Sequence, residues 1–173
     1  MWQLRNVVVV LVLSFLLVGC GTQRAAWPAH VVSLDGFTEA EAQEVRASID
    51  KLNAQADKPL IEISGEASQN AYLIHIDRHE PWPDDPMTAG LTTREDDLCS
   101  VSLSTELFKS DREGYVDSVV WHELGHCAGL THNPKQGTMM FATAKLFTTF
   151  TNEALKSFIQ DMRNSLSSEA LGQ

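Results

Sequence analysis

Three histidines near the middle of the chain have the spacing of metal ligands. Residues 122–132 read His-Glu-Leu-Gly-His-Cys-Ala-Gly-Leu-Thr-His. On an α-helix, residues four apart lie one turn apart on the same face, so His122 and His126 can point at one ion. Gly129 can adopt the left-handed conformation that ends a helix, and the chain can then turn back and bring His132 to the same ion. The pattern predicts a zinc site, because zinc binds imidazole nitrogens in a tetrahedron.

Glu123 stands next to the first of these histidines, in the position of a general base. A catalytic zinc has three protein ligands and leaves its fourth position to water. The carboxylate of Glu123 can accept a proton from that metal-bound water and pass it to a leaving amine. The metal lowers the pKa of the water toward about 7 and polarises a carbonyl group. The predicted chemistry is metal-assisted hydrolysis of an amide, with one catalytic zinc ion.

The complete His-Glu-x-x-His-x-x-Gly-x-x-His pattern of residues 122–132 resembles the signature of the metzincin zinc proteases. Metzincins also have a methionine turn beneath the metal, and residues 137–141 (Gly-Thr-Met-Met-Phe) are similar to it. Matching Gly137 to the glycine of that turn makes Met140 the methionine under the zinc, with Met139 as the alternative. The short spacing between the last histidine and this turn resembles the matrixin branch.

The resemblance implies a fold of α/β (α+β) class and a peptide or protein substrate. Its parts would be a mixed twisted sheet with an antiparallel edge strand, an active-site helix, the methionine turn and a C-terminal helix. The edge strand would bind the substrate by main-chain pairing, and Met87 to Thr92 is the candidate. Asn133 differs from the residue that follows the third histidine in several branches, so the sequence leaves the subfamily open.

The first nineteen residues predict a bacterial lipoprotein signal peptide. Arg5 is the only charge in this segment, and residues 7–18 are apolar apart from Ser14. Such a run is typical of a secretory signal and is shorter than the roughly 20 residues that span a bilayer. The Leu-Val-Gly-Cys of residues 17–20 resembles a lipobox, in which cleavage before Cys20 leaves it as the lipidated first residue. The alternative is an ordinary signal peptide with a chance cysteine.

The lipobox resemblance divides the chain into a signal peptide at 1–19, a lipidated tether at 20–29 and a zinc metalloprotease domain at 30–173. Acyl chains such as palmitate would anchor the protein to a membrane outside the cytoplasm. The residue after Cys20 is Gly21 and not an aspartate, which resembles lipoproteins that are sorted to the outer membrane if the source is Gram-negative. The protein would then face the periplasm or the cell surface.

Two cysteines, Cys99 and Cys127, remain once Cys20 is assigned to the lipid. An even number of cysteines in an oxidising compartment favours a disulfide, here between a predicted strand and the zinc helix. Two buried free thiols are the alternative. Cys127 is excluded as a zinc ligand because it points about 100° away from His126 around the helix axis.

Hydrophobic periodicity predicts five strands and three helices. The strands are His30–Leu34, Leu60–Ile63, Ala71–Ile76, Met87–Thr92 and Leu98–Leu103. A first helix follows the Thr-x-x-Glu capping box at Thr38 and ends before Pro59. A second runs from about Tyr115 to Leu130 with a break at Gly129, and the last runs from about Asn152 to Leu166.

Composition excludes several classes of protein. A chain of 173 residues with 43% apolar residues fits one domain and is too hydrophobic to be disordered. A net charge of −10 argues against nucleic-acid binding, which needs clustered basic residues. We expect a monomer. The remaining alternatives are a non-catalytic lipoprotein that uses zinc for binding or structure, and an enzyme that cleaves a wall peptide instead of a protein.

Overall fold

The computed structural model describes residues 26–65, 71–95, 98–142 and 150–170. The signal peptide, Cys20 and most of the predicted tether lie outside the described residues. Five strands are described: β1 (Ala26–Asp35), β2 (Ile61–Ile63), β3 (Ala71–His79), β4 (Gly90–Glu95) and β5 (Leu98–Ser104). The helices are α1 (Glu39–Ala54), α2 (Tyr115–Cys127) and α3 (Asn152–Ala170), with a 3-10 helix at Thr105–Lys109. None of the described helices is long and apolar enough to cross a membrane.

The strands form one mixed sheet in the order β2-β1-β3-β5-β4. Strand β1 pairs in parallel with β2 and β3, and β3 pairs in parallel with β5. Strand β4 is antiparallel to β5, in a register that places Gly90 opposite Leu103 and Thr92 opposite Val101. The predicted α/β class with an antiparallel edge strand is confirmed.

Apolar side chains join the sheet and helices into one core. Strand residues Val31, Ile74 and Val101 are each at most 1% exposed, as is Ile49 on α1. Burying an aliphatic side chain of this size contributes about 1.5–3 kcal/mol. A hydrogen bond of 2.9 Å from the Trp121 indole to the Ser48 carbonyl also joins α2 to α1. The helix that contains the histidines is therefore fixed on a rigid support.

The start of α1 has the capping box that the sequence predicts. The Thr38 hydroxyl accepts a hydrogen bond from the Glu41 amide, and the Glu41 carboxylate accepts one from the Thr38 amide. Together these two bonds satisfy amide groups that have no partner within the helix.

Several predicted boundaries need correction. Strand β1 begins at Ala26 instead of His30 and includes the end of the predicted tether, because Ala29 is buried and its amide donates to the Leu60 carbonyl. The edge strand is Gly90–Glu95 instead of Met87–Thr92, because the turn around Asp85 extends to Thr88 through two hydrogen bonds between those residues. Helix α2 ends at Cys127, before the predicted Leu130.

Candidate active site

Helix α2 places the first two histidines on one face. His122 and His126 are one turn apart, and their Nε2 atoms lie 3.1 Å from each other. Helix α2 is buried over most of its length, and His122 itself is only 5% exposed. Packing therefore fixes the direction in which both rings point.

The third histidine reaches the same point through a tight helix end. The Leu130 amide donates to the Gly125 carbonyl and the Gly129 amide to the His126 carbonyl, which is the Schellman arrangement. Gly129 is left-handed, with φ of 88°. The chain then reverses, and His132 Nε2 lies 3.2 Å from that of His122 and 3.1 Å from that of His126.

These three nitrogens fit a zinc ion. Nitrogens bound to zinc at about 2.0–2.1 Å in a tetrahedron lie roughly 3.3 Å apart, close to the spacing found here. The Nδ1 atoms of His122 and His126 each lie 2.8 Å from a backbone carbonyl, of Met139 and Leu130 respectively. A carbonyl only accepts, so each Nδ1 holds a proton and each Nε2 offers its lone pair. Convergent lone pairs at this distance suit a cation bound between them.

The protonation of the histidines suits metal binding. Burial lowers the pKa of His122 to about 4. Burial, together with the neighbouring His126, also lowers the pKa of His132. Both rings are therefore neutral near pH 7, which is the form that binds a metal.

Glu123 extends from α2 toward the edge strand. Its side chain is buried, and its Oε2 accepts a hydrogen bond of 2.6 Å from the Thr92 hydroxyl on β4. Burial raises the pKa of Glu123, although the hydrogen bond from Thr92 opposes the change. The residue that follows the first metal ligand therefore has a carboxylate with increased affinity for a proton.

The predicted methionine turn lies against α2. Gly125 has no room for a side chain, because a Cβ there would lie 2.5 Å from Met140 Sδ. The neighbouring Met139 contributes its main-chain carbonyl to the His122 ring. The two methionines thus have separate contacts: the sulfur of Met140 packs on the helix, and the carbonyl of Met139 orients a ligand.

A cleft of about 740 Å³ opens over the histidines and Glu123. Strand β4 borders it on one side, and α2 with the turn that follows borders it on the other. Met87 and Leu91 line it and are 63% and 48% exposed, which is high for large apolar side chains. An extended polymer can reach the three-histidine site from this open side.

A family model described as Matrixin matches residues 37–161 of the chain, well over half of its length. The chain belongs to the matrixin family. The matched region contains α1, the three histidines and the methionine turn, so the predicted metzincin resemblance is confirmed. The protein is a zinc metalloprotease with a three-histidine metal site.

No curated protein matches this matrixin. Among solved structures, the chain is similar to an archaemetzincin from Methanopyrus kandleri at 14% identity and a TM-score of 0.49. That similarity covers 85% of this chain and 99% of the archaemetzincin.

The matrixin site also includes the predicted cysteine pair. Cys99 on β5 and Cys127 at the end of α2 have their Sγ atoms at bonding distance, with 5.6 Å between their Cα atoms. Both residues are fully buried. The bridge fixes the end of α2 to the sheet immediately after the second ligand, His126.

Sequence reasoning missed three residues of this matrixin site. Thr92 donates to the glutamate, Gly90 leaves space for it, and Gly125 leaves space for Met140. The residue types alone do not mark these three positions as part of a site. Alternation along β4 does predict that Gly90 and Thr92 share a face of the strand. Glu153, which superficially resembles the glutamate ligand of other zinc proteases, is exposed at the start of α3 and does not line the cleft.

Proposed function

We propose that this matrixin is a lipid-anchored endopeptidase that acts outside the cytoplasm, with Glu123 as its general base. The observation that supports this best is a buried carboxylate that lines the same open cleft as three convergent histidine nitrogens. Zinc bound by the histidines would supply a Lewis acid that polarises the scissile carbonyl and lowers the pKa of water.

The residues around the metal have distinct roles in this proposal. His122, His126 and His132 bind zinc, and the carbonyls of Met139 and Leu130 hold two of the rings in the ligand tautomer. Glu123 accepts the proton of the attacking water and gives it to the leaving amine. Its burial makes the carboxylate a stronger base than one in water, which suits that transfer.

Met140 and Gly129 shape the site without taking part in the reaction. Met140 is the better candidate for the methionine beneath the zinc, because its sulfur contacts the backbone of α2 next to His126. Gly129 permits the reversal that delivers His132. Both roles are structural, as the family resemblance implies.

An extended peptide is the substrate that fits the cleft best. Strand β4 is at the edge of the sheet, and only its β5 side is paired among the described residues. A substrate strand can add to the other side through main-chain hydrogen bonds. The exposed Met87 and Leu91 favour apolar side chains near the scissile bond.

Cleavage of a peptide library tests the activity. The zinc-loaded protein should cleave internal bonds, a chelator should stop cleavage, and added zinc should restore it. Metal-dependent cleavage restricted to wall peptides would change the substrate class. One bound zinc per chain without any cleavage would contradict the proposal and favour the non-catalytic zinc-binding lipoprotein.

The proposed location depends on Cys20, which lies outside the described residues. The buried Cys99–Cys127 bridge supports an oxidising compartment. When the protein is expressed in a bacterium, the wild type should incorporate labelled palmitate and sediment with membranes. Cys20→Ser should lose the label and move to the soluble extracytoplasmic fraction, and unchanged sedimentation without a label in either protein would contradict a lipid anchor.

A further inference from the structure

The carboxylate of Glu123 lies directly against the edge strand. The Thr92 hydroxyl lies 2.6 Å from Glu123 Oε2 and 3.2 Å from the main-chain oxygen of the same residue. A Cβ on Gly90 would lie only 2.7 Å from Oε1. Strand β4 thus borders both oxygens of the carboxylate, through a hydroxyl on one side and bare backbone on the other.

The two distances from the Thr92 hydroxyl indicate which acceptor takes its proton. A threonine hydroxyl has a single proton to donate. The 2.6 Å contact to Oε2 is in the range of a charge-assisted bond, whereas the 3.2 Å contact to the main-chain oxygen is longer than usual for a hydroxyl donor. Thr92 therefore fixes the side chain of Glu123 more than its backbone.

We propose that Thr92 is a positioning residue that holds the general base Glu123 in its reactive orientation. The proposal rests on the proposed function, because Thr92 acts only through Glu123. The glutamate side chain has three rotatable bonds, and a hydroxyl on the adjacent strand fixes the last of them. A proton acceptor must lie within hydrogen-bond reach of the proton it takes, and a displacement of about 1 Å can lower the rate a hundredfold.

The same contacts give β4 two functions. Its outer edge is available to pair with a peptide, while the Cα of Gly90 and the side chain of Thr92 face the general base. A substrate that pairs with this strand is therefore placed relative to the element that also orients Glu123. Strand β4 would then position both the scissile bond and the general base.

Isosteric substitutions test this role. Thr92→Val removes the hydroxyl with little change of shape and should lower kcat by about 10- to 100-fold, with KM and bound zinc unchanged. Thr92→Ser keeps the hydroxyl and should remain within about threefold of the wild type. Thr105→Val is the matched control, because the Thr105 hydroxyl is buried without a partner among the described residues and does not line the cleft. It should leave kcat unchanged.

Four results would overturn the inference. Wild-type kcat in Thr92→Val would show that the hydroxyl is not needed, and equal losses in Thr92→Val and Thr92→Ser would show that the loss of activity does not follow the hydroxyl. Loss of zinc, or a rise in KM without a loss of kcat, would give Thr92 another role. If the wild type does not hydrolyse peptides, or if Glu123→Gln retains full activity, the proposed function itself fails.

Discussion

At the scale of single residues, the site buries a carboxylate, Glu123, and one metal-binding imidazole, His122, each of which is costly to charge away from water. Glu123 is 5% exposed, as is His122, and their pKa values move in opposite directions for the same reason. Burial disfavours the charged form of each group, so the carboxyl pKa rises and the imidazole pKa falls. A divalent cation would offset the charge of the carboxylate, and the neutral imidazole is the form that binds it, so a bound metal would also stabilise the folded state.

Without metal, Glu123→Gln should stabilise the protein at pH 7. Because the folded-state pKa of Glu123 lies above its ordinary value of 4.5, ionisation costs stability at higher pH, and this cost disappears below about pH 4.5. Gln keeps an acceptor for the Thr92 hydroxyl. Thermal unfolding in a chelator should therefore show a higher Tm for the variant at pH 7 and a smaller difference at pH 4. A lower Tm at pH 7 would contradict this account of the carboxylate.

At the scale of elements, the end of α2 determines whether His132 can join His122 and His126 as the third metal ligand. Cys127 closes the helix against β5 through its disulfide, and Gly129 reverses the chain with φ of 88°. The disulfide and the glycine turn both lie between His126 and His132, so the metal site depends on a segment of only a few residues.

Gly129→Ala should weaken zinc binding. A residue with a Cβ is strained in the left-handed region by about 1–2 kcal/mol, and relief of that strain would move His132 away from the other two ligands. We expect the Kd for zinc to rise about tenfold, measured by competition with a chromophoric chelator. Gly65→Ala is the control, because a Cβ there meets nothing within 4 Å. An unchanged Kd in Gly129→Ala would mean that the turn tolerates a side chain.

Reduction of the disulfide should destabilise the metal-free protein. The bridge joins residues 28 apart, and the loop-entropy model gives about 3–4 kcal/mol for a loop of this size. Urea unfolding in a chelator, with and without a reductant, measures the difference in the free energy of unfolding. The bridge would not be stabilising if the oxidised protein and a protein whose disulfide has been verified as reduced unfold at the same urea concentration.

The elements that the sequence predicts best are those whose signals are local. Helix α2 and its end are predicted from a few neighbouring residues, namely the four-residue spacing of His122 and His126 and the glycine at 129. The capping box at Thr38 predicts the start of α1 in the same way. The contact of Thr92 with Glu123 joins positions far apart in the chain, so only the packing of α2 against β4 reveals it. The early start of β1 was missed because Ala29 is buried by pairing with the distant β2.

At the scale of the whole molecule, the edge of the sheet and one helix bring separate segments to a single cleft. Strand β4, helix α2 and the turn after it all border the cleft, and the methionine turn packs against α2. The absence of a nucleic-acid partner stays a prediction, based on the net charge of −10. In our proposal, a lipid on Cys20 keeps this cleft near a membrane, where peptide substrates would reach the free edge of β4.

The most direct test of the central claim compares the zinc-loaded wild type with Glu123→Gln on one internally quenched peptide, with bound zinc measured in both. The account predicts one zinc per chain in each protein and a kcat/KM about 10² to 10⁴ times lower in the variant, the usual contribution of a general base. Equal, chelator-sensitive cleavage by both proteins would contradict the role of Glu123. No cleavage by a wild type with full zinc occupancy would contradict the proposed endopeptidase activity.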